Sequence, residues 1–349
     1  MAFALLSLQK SWPDQGAPSS GVARPWPLAF AASCPLVLSA CSGIQSSLDP
    51  AGDEAAEIAK LFWAMAAGGL VIWSAVICML LHAARPGRTP LGETGARRLI
   101  VWGGAVFPSA TLLILLAYAL WLMPGLRPAA LAAGGEPLRI EVTGKQFWWR
   151  VAYRLDNGTS VISANEIRLP VGQRVELTLN SADVIHSFWI PALGGKMDMI
   201  PGRTNRLSLI ATKAGNYRGP CAEFCGPSHA LMAFSAVAME PGGFRSWLAE
   251  QAAPSDASEG DGIDLFMKHG CASCHRINGT EAQGLIGPDL SHIGSRETIG
   301  AGILPNTAAA IARFISEPDV IKPGSKMPAF RMLPPEDIRA IATYLKGLE

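Results

Sequence analysis

The chain has 349 residues, enough for two or three domains, and 29 Lys+Arg against 28 Asp+Glu leave a net charge of +1. That balance argues against nucleic acid as a partner. Charged residues are only 16% and hydrophobic ones 49%, a shift towards membrane proteins.

Residues 1–40 carry few charges before Arg24, then an apolar run over 28–40. Leu38-Ser39-Ala40-Cys41 reads as a bacterial lipoprotein cleavage box, which makes 1–40 a signal peptide and Cys41 a lipidated first residue. The run has the length of a signal core and is too short to cross a bilayer. An ordinary buried segment with a chance cysteine is the plainer alternative.

Two long apolar stretches follow, Leu61–Leu81 and Ile100–Met123. Each is near the ~20 residues that a helix needs to span the hydrocarbon core, so transmembrane helices are expected over 58–82 and 99–123. Trp63, Trp73, Trp102, Tyr118 and Trp121 lie in or near them, those at the ends suited to the headgroup level. The loop 83–98 between them carries Arg85, Arg88, Arg97 and Arg98 against a single Glu93. The positive-inside bias makes this loop cytoplasmic and puts both the region of Cys41 and everything after Met123 outside. A lipidated Cys41 requires the same topology. Pro108 is tolerable where neighbouring helices satisfy the freed carbonyl.

Beyond a Pro/Gly-rich connector (124–135) the periodicity changes to two: Leu138, Ile140 and Val142, then Val175, Leu177 and Leu179, then Leu207 and Leu209 alternate with polar residues. Turns at Asn157-Gly158, Val171-Gly172 and Pro201-Gly202 separate short strands and predict an antiparallel sandwich over 136–240. Within it, Cys221-Ala-Glu-Phe-Cys225-Gly-Pro-Ser-His229-Ala-Leu-Met232 gathers two thiols, an imidazole, a thioether and a carboxylate. Soft sulfur beside imidazole selects copper or zinc, and the thioether favours copper. Two thiolates four residues apart could bridge a metal pair, and His186 is the candidate second imidazole. A Cys221–Cys225 disulfide and a zinc half-site are the alternatives.

Residues 241–260, with Gly242-Gly243, Pro254, Ser255 and several acidic residues, read as a linker with little to bury. Cys271-Ala-Ser-Cys274-His275 is then the attachment signature of a c-type haem, with His275 as axial ligand. A thioredoxin-like pair or a zinc half-site are its competitors. Helical patterns at Asp264–Lys268 and Pro335–Lys346 flank Gly287-Pro288 and Met327-Pro328.

Over about residues 55–240, the loop pattern Cys-x-Glu-x-Cys-x-x-x-His-x-x-Met and His186 resemble the CuA-binding subunit II of haem-copper cytochrome c oxidases. The resemblance implies a cupredoxin fold and a dinuclear copper centre bridged by Cys221 and Cys225. His186 and His229 would each complete one copper, with Met232 and the Glu223 backbone carbonyl as weaker ligands. The Glu223 carboxylate would also be a candidate for Mg²⁺ at the subunit I boundary. Gly144-Lys145-Gln146-Phe147-Trp148-Trp149 is similar to the family segment in which a tryptophan takes electrons from soluble cytochrome c. Phe147 stands at the first aromatic position here, so Phe147, Trp148 and Trp149 are the candidates for electron entry. Asp183 and the run Lys196–Arg203 match positions that face the catalytic subunit. The glutamate that family members carry near the outer start of the second helix is missing; Glu93 is the nearest carboxylate and is assigned no proton-entry role. Residues 261–347 resemble a small class I cytochrome c with Met327 as sixth ligand. Met332 and Met267 compete for that place, while His269 and His292 are structural.

The expected fold class is therefore a multidomain membrane protein: a two-helix transmembrane hairpin, an all-β cupredoxin sandwich and an all-α cytochrome c domain. The resemblance implies subunit II of a proton-translocating cytochrome c oxidase, a respiratory-chain translocase of the bacterial inner membrane with its copper and haem domains on the periplasmic side. Subunit I (haem a and the haem-copper centre) and subunit III would be partners, and a cytochrome c or the cytochrome bc complex the upstream donor. Fusion of the haem domain through a short linker would raise its effective concentration to about the millimolar range. The alternatives are a CuA-bearing subunit of a nitric oxide reductase and a membrane-tethered electron shuttle or copper carrier. A quinol oxidase subunit is excluded if copper binds, because that branch lacks these ligands.

Overall fold

The computed structural model describes residues 42–87, 89, 91–123, 137–155, 158–255 and 260–349. The expected signal peptide, Cys41 and the 124–135 connector lie outside the described residues.

Helix α1 (Asp53–Ala83) and helix α2 (Glu93–Leu122) are the two candidate membrane spans, with mean hydropathies of 2.2 and 2.1. Apolar side chains such as Leu70, Val71, Leu113 and Ile114 face outward, and nothing among the described residues covers them. A π-helical turn at Trp102–Val106 interrupts α2 one residue before Phe107-Pro108. At about 1.5 Å per residue α1 is roughly 46 Å long, more than the ~30 Å hydrocarbon core. Its first turns are used differently from the rest: Glu54, Ala55 and Ala59 are buried. Ala51 N–H donates to Ala192 O at 2.7 Å, and Ala51 O accepts from Thr212 N at 2.7 Å. The Glu54 carboxylate takes the amide of Ile210 at 3.1 Å and Arg174 Nη1 at 3.1 Å. The predicted helix therefore begins earlier than residue 58, because those turns pack on the sandwich. Helix α2 likewise begins at Glu93, inside the expected 83–98 loop.

The sandwich has a five-stranded sheet of order β3-β2-β1-β5-β8 and a three-stranded sheet of order β4-β10-β9. The strands are β1 (Leu138–Lys145), β2 (Trp148–Arg154), β3 (Ser160–Ala164), β4 (Glu166–Pro170), β5 (Arg174–Ser181), β6 (His186–Phe188), β7 (Met197–Met199), β8 (Asn205–Ile210), β9 (Gly215–Pro220) and β10 (Ala233–Met239). Alternation places Ile140 and Val142 of β1 and Leu177 and Leu179 of β5 in the core opposite Ile167, Leu169, Phe234 and Ala236 of the other sheet. The sandwich is mixed, a departure from the antiparallel expectation: β1 runs parallel to β5 and β4 parallel to β10. Parallel neighbours need a long crossover, and the intervening strands supply it. A local alternating pattern carries no information about that choice.

A second departure concerns 241–260. Pro241–Ala252 forms helix α3, capping the sandwich, with Phe244 and Trp247 buried. The Trp247 ring meets Tyr153 edge-on at 5.1 Å and lies 5.0 Å from the Arg168 guanidinium. Two aromatics one helical turn apart are enough to anchor a helix despite Gly242-Gly243.

The C-terminal domain packs helices α4 (Asp261–Lys268), α5 (Ala308–Ser316) and α7 (Pro335–Gly347), with the short α6 (Pro318–Ile321), around Phe266, Ile311, Ile315, Ile338, Ile341 and Leu345. Gly262 permits the crossing of α4 and α7: a Cβ there would lie 2.3 Å from Tyr344 Cβ. Thr307 caps α5, its hydroxyl accepting the Ala310 amide at 3.2 Å.

Candidate metal and haem centres

Strand β6 and the loop between β9 and β10 bring His186 to the cysteines. The β6–β7 hairpin pairs His186 with Met199, and Ala222 N–H donates to Ser187 O at 3.0 Å. The loop closes on itself, with Cys221 N–H donating to Met232 O at 2.9 Å and His229 N–H to Gly226 O at 3.0 Å. These bonds fix a cluster in which Cys221 Sγ and Cys225 Sγ are 3.9 Å apart. His186 Nδ1 is 3.8 Å from Cys221 Sγ, and His229 Nδ1 is 3.7 Å from Cys225 Sγ. Met232 Sδ lies 3.8 Å from Cys225 Sγ, and Glu223 O lies 3.3 Å from Cys221 Sγ. Both cysteines are buried and free, so the disulfide reading fails.

Charge in this cluster is directed by its neighbours. Asp183 Oδ1 accepts from His186 Nε2 at 2.8 Å, which leaves Nδ1 with its lone pair towards the thiols. Burial works against an ionised Asp183, but the Gln146 amide, the His186 ring and the Val184 amide together hold its carboxyl below the ordinary range. The Cys221 thiol is driven well below the thiol range, first by its hydrogen bond with Cys225 and then, against burial, by His186. A buried ligand set with one sulfur already disposed to ionise suits a soft cation. The thioether at Met232, 1% exposed and pointed at the sulfur pair, favours copper over zinc.

The aromatic segment occupies three different environments. Phe147 is 4% exposed, beside Gly226 of the copper loop and Gly324 of the C-terminal domain. Trp148 is half-buried with Lys145 Nζ 5.1 Å from its ring centre. Trp149 is fully enclosed, its ring 6.0 Å from that of His186 and 5.3 Å from that of Phe234. The Glu223 carboxylate is half-buried and accepts from the Phe224 amide at 3.3 Å. In the Lys196–Arg203 run, Asp198 accepts from Lys196 Nζ at 3.0 Å and from Ser187 Oγ at 2.8 Å.

In the second centre, His275 Nδ1–H donates to Pro288 O at 2.7 Å, leaving Nε2 free to ligate. Burial, outweighing that bond, holds the ring below the usual imidazole range and so neutral, as a ligand must be. A Cβ on Gly287 would lie 2.5 Å from His275 Cε1, and one on Gly284 would lie 2.4 Å from the Cys274 carbonyl carbon. Both glycines are required by the close approach around the Cys-x-x-Cys-His turn. Cys271 and Cys274 are free and half-buried. Met327 is partly buried against the domain core, whereas Met332 is 77% exposed. His269 Nε2 lies 2.9 Å from Asp337 Oδ2 and His292 Nδ1 donates to Glu349 O at 2.9 Å, which are structural roles.

Residues 153–239 match the model of cytochrome c oxidase subunit II, periplasmic domain, and residues 260–349 match that of cytochrome c. Cytochrome c oxidase subunit 2 of Alkalihalophilus pseudofirmus is 39% identical over 220 residues, covering 62% of this chain and 63% of that one. The chain resembles cytochrome c oxidase subunit II over these residues. The subunit 2 of Bacillus subtilis is 35% identical over 228 residues, 61% of this chain and 63% of the relative, so the chain spans just under two thirds of these relatives' lengths. The periplasmic domain of subunit II of cytochrome oxidase from Bradyrhizobium japonicum is 36% identical, with a TM-score of 0.31, covering 33% of this chain and 93% of that one. The two matched domains imply copper and haem, and the donor sets at Cys221–Met232 with His186 and at Cys271–His275 fit both.

Gln146 is the neighbour that the sequence reading missed. Its Nε2 donates to Cys225 O at 2.7 Å and its amide to Asp183 Oδ2 at 2.8 Å, bracing both arms of the site. Asp183, expected from the resemblance at a position facing the catalytic subunit, bonds His186 here; the Asp-x-x-His spacing is the signal that could have found that contact.

Proposed function

We propose that this chain is the electron-entry subunit of a haem-copper cytochrome c oxidase, anchored in the bacterial inner membrane by α1 and α2, with both redox domains on the outer side. Cys221, Cys225, His186 and His229 would hold a copper pair, with Met232 and the Glu223 backbone carbonyl as weaker ligands. Cys271 and Cys274 would attach a c-type haem, with His275 and Met327 as its axial ligands. When bound, these groups supply reversible one-electron carriage from an outer-side donor, a cytochrome c or the cytochrome bc complex, to the oxygen-reducing subunit I.

The protein's own part is to hold ligands still. The sandwich fixes His186 from one strand and the loop ligands from another, so the donor atoms need little rearrangement when the charge of the site changes. Burial of Cys221, Cys225 and Met232 excludes water, and Asp183 orients His186. Met/His ligation of the haem favours a high reduction potential, as a donor to copper requires. Subunit III, and Mg²⁺ on the Glu223 carboxylate at the subunit I boundary, belong to the same reading.

The observation that carries it is the pair of sulfurs 3.9 Å apart with one imidazole nitrogen beside each. The test is metal and optical analysis of the purified complex. Two coppers per haem c, a mixed-valence near-infrared band, and oxygen consumption lost in Cys221→Ser are expected; zinc at the loop, or one copper per haem, overturns the assignment.

A further inference from the structure

The C-terminal domain is seated on the sandwich along two separate lines of contact. One extends away from the His229 loop, from Ala233, which follows Met232, towards Glu166: Glu166 Oε2 accepts the Glu297 amide at 2.9 Å, Arg218 Nη1 donates to Gly302 O at 2.7 Å, and Ala233 N–H donates to Ala301 O at 2.9 Å. The other lies at the copper loop and involves only the short segment that leads into Met327. Ser228 Oγ–H donates to Pro323 O at 2.6 Å, and Lys326 Nζ is 3.6 Å from Asp183 Oδ2. Gly324 turns at φ +79° against Phe147, where a Cβ would come within 3.2 Å of the ring.

Each imidazole arm therefore has a neighbour touching one end of the segment 323–326: Ser228 meets Pro323, and Asp183 meets Lys326. Ser228 is covalently next to His229; Asp183 holds His186 by its other oxygen. Ser228 is 0% exposed, and its hydroxyl is spent on a carbonyl 95 residues away. A buried hydroxyl without its partner would be costly, so this bond locks the relative register of the two loops. The first line of contact, by contrast, has enough polar bonds to keep the domains together without it.

We infer that Ser228 is a positioning residue for electron passage between the two domains: its bond to Pro323 O sets the spacing of the Met327 segment against the His229 loop. This rests on the proposed function. Transfer between held centres falls steeply with separation, so a small slip at this line should slow it while the domains remain docked. The fused domain is then a fixed relay, and tethering by the linker is secondary.

The test compares the unmodified chain with Ser228→Ala and Gly324→Ala, in the assembled, fully loaded complex and also as the metal-free chain. Flash reduction reads the interdomain rate, redox titration and optical spectra read each centre, and amide hydrogen exchange reads the contacts. Expected in both variants are a several-fold slower interdomain rate with midpoint potentials and spectra unchanged. Exchange should be faster at 226–229 and 324–327, in the metal-free chain too, with the Glu297 amide, bonded to Glu166, still protected. An unchanged rate in both variants overturns the inference, and so does lost protection at Glu297, which would make Ser228 an anchor for docking. Absence of any interdomain transfer in the unmodified complex is distinguishable from these results and would instead sink the proposed function.

Discussion

Asp183 Oδ1 accepts from His186 Nε2 at 2.8 Å while Asp183 Oδ2 accepts the Gln146 amide at 2.8 Å, so one carboxylate joins the His186 imidazole to the backbone of the aromatic segment. Removing its charge without changing its size should loosen that imidazole. Asp183→Asn is expected to weaken copper binding by roughly 10–100-fold, the usual cost of losing such an outer partner. Competition titration with a chelator measures this, and an affinity within twofold of the unmodified protein would contradict it.

Met327 and Met332 make opposite predictions as sixth haem ligand. Met332 is 77% exposed, whereas Met327 sits against the domain core at the end of the segment that touches the copper loop. Met327→Ala should lower the midpoint potential of the haem and abolish the thioether–iron charge-transfer band, and Met332→Ala should leave both in place. The reverse pattern would assign the ligand to Met332.

Helix α3 is part of the sandwich core. Trp247 is 6% exposed and packed on Tyr153 and Arg168, so Trp247→Ala should destabilise the domain by about 3–5 kcal/mol. Chemical denaturation of the solubilised protein, followed by tryptophan fluorescence, reads this loss. A free linker would show none.

Lys322 is 4% exposed and donates to Gly300 O at 2.7 Å. Burial pushes its pKa down from the ordinary lysine value of 10.5 to about 7, against a smaller opposing pull from Cys225. A lysine with a lowered folded-state pKa carries a protonation penalty in full below pH 7, where both folded and unfolded chains are charged. Between about pH 7 and 10.5 only the unfolded chain holds the proton, so stability rises with pH. The expected gain is roughly a few kcal/mol at most. Thermal melts of the C-terminal domain should show this rise in the unmodified chain and a flatter profile in Lys322→Met. Identical profiles would rule out a titrating Lys322.

Much of the chemistry was legible from covalent spacing. Cys221, Cys225, His229 and Met232 fall in one loop and Cys271, Cys274 and His275 in one turn, so the residue types and their spacing point to a soft-metal site and a haem attachment site. The two long apolar helices were legible because each holds about 20 apolar residues in a row. What only the tertiary structure decided joins residues distant in the chain. His186 reaches Cys221 across 35 residues because β6 and the β9–β10 loop meet in the sandwich. Helix α3 depends on what Phe244 and Trp247 pack against, and the parallel pairs on crossovers. Ser228 meets Pro323 because two folded surfaces fit. Local sequence encodes spacing and solvation preference, whereas contact between remote segments is selected by packing of the whole, to which no single stretch of residues refers.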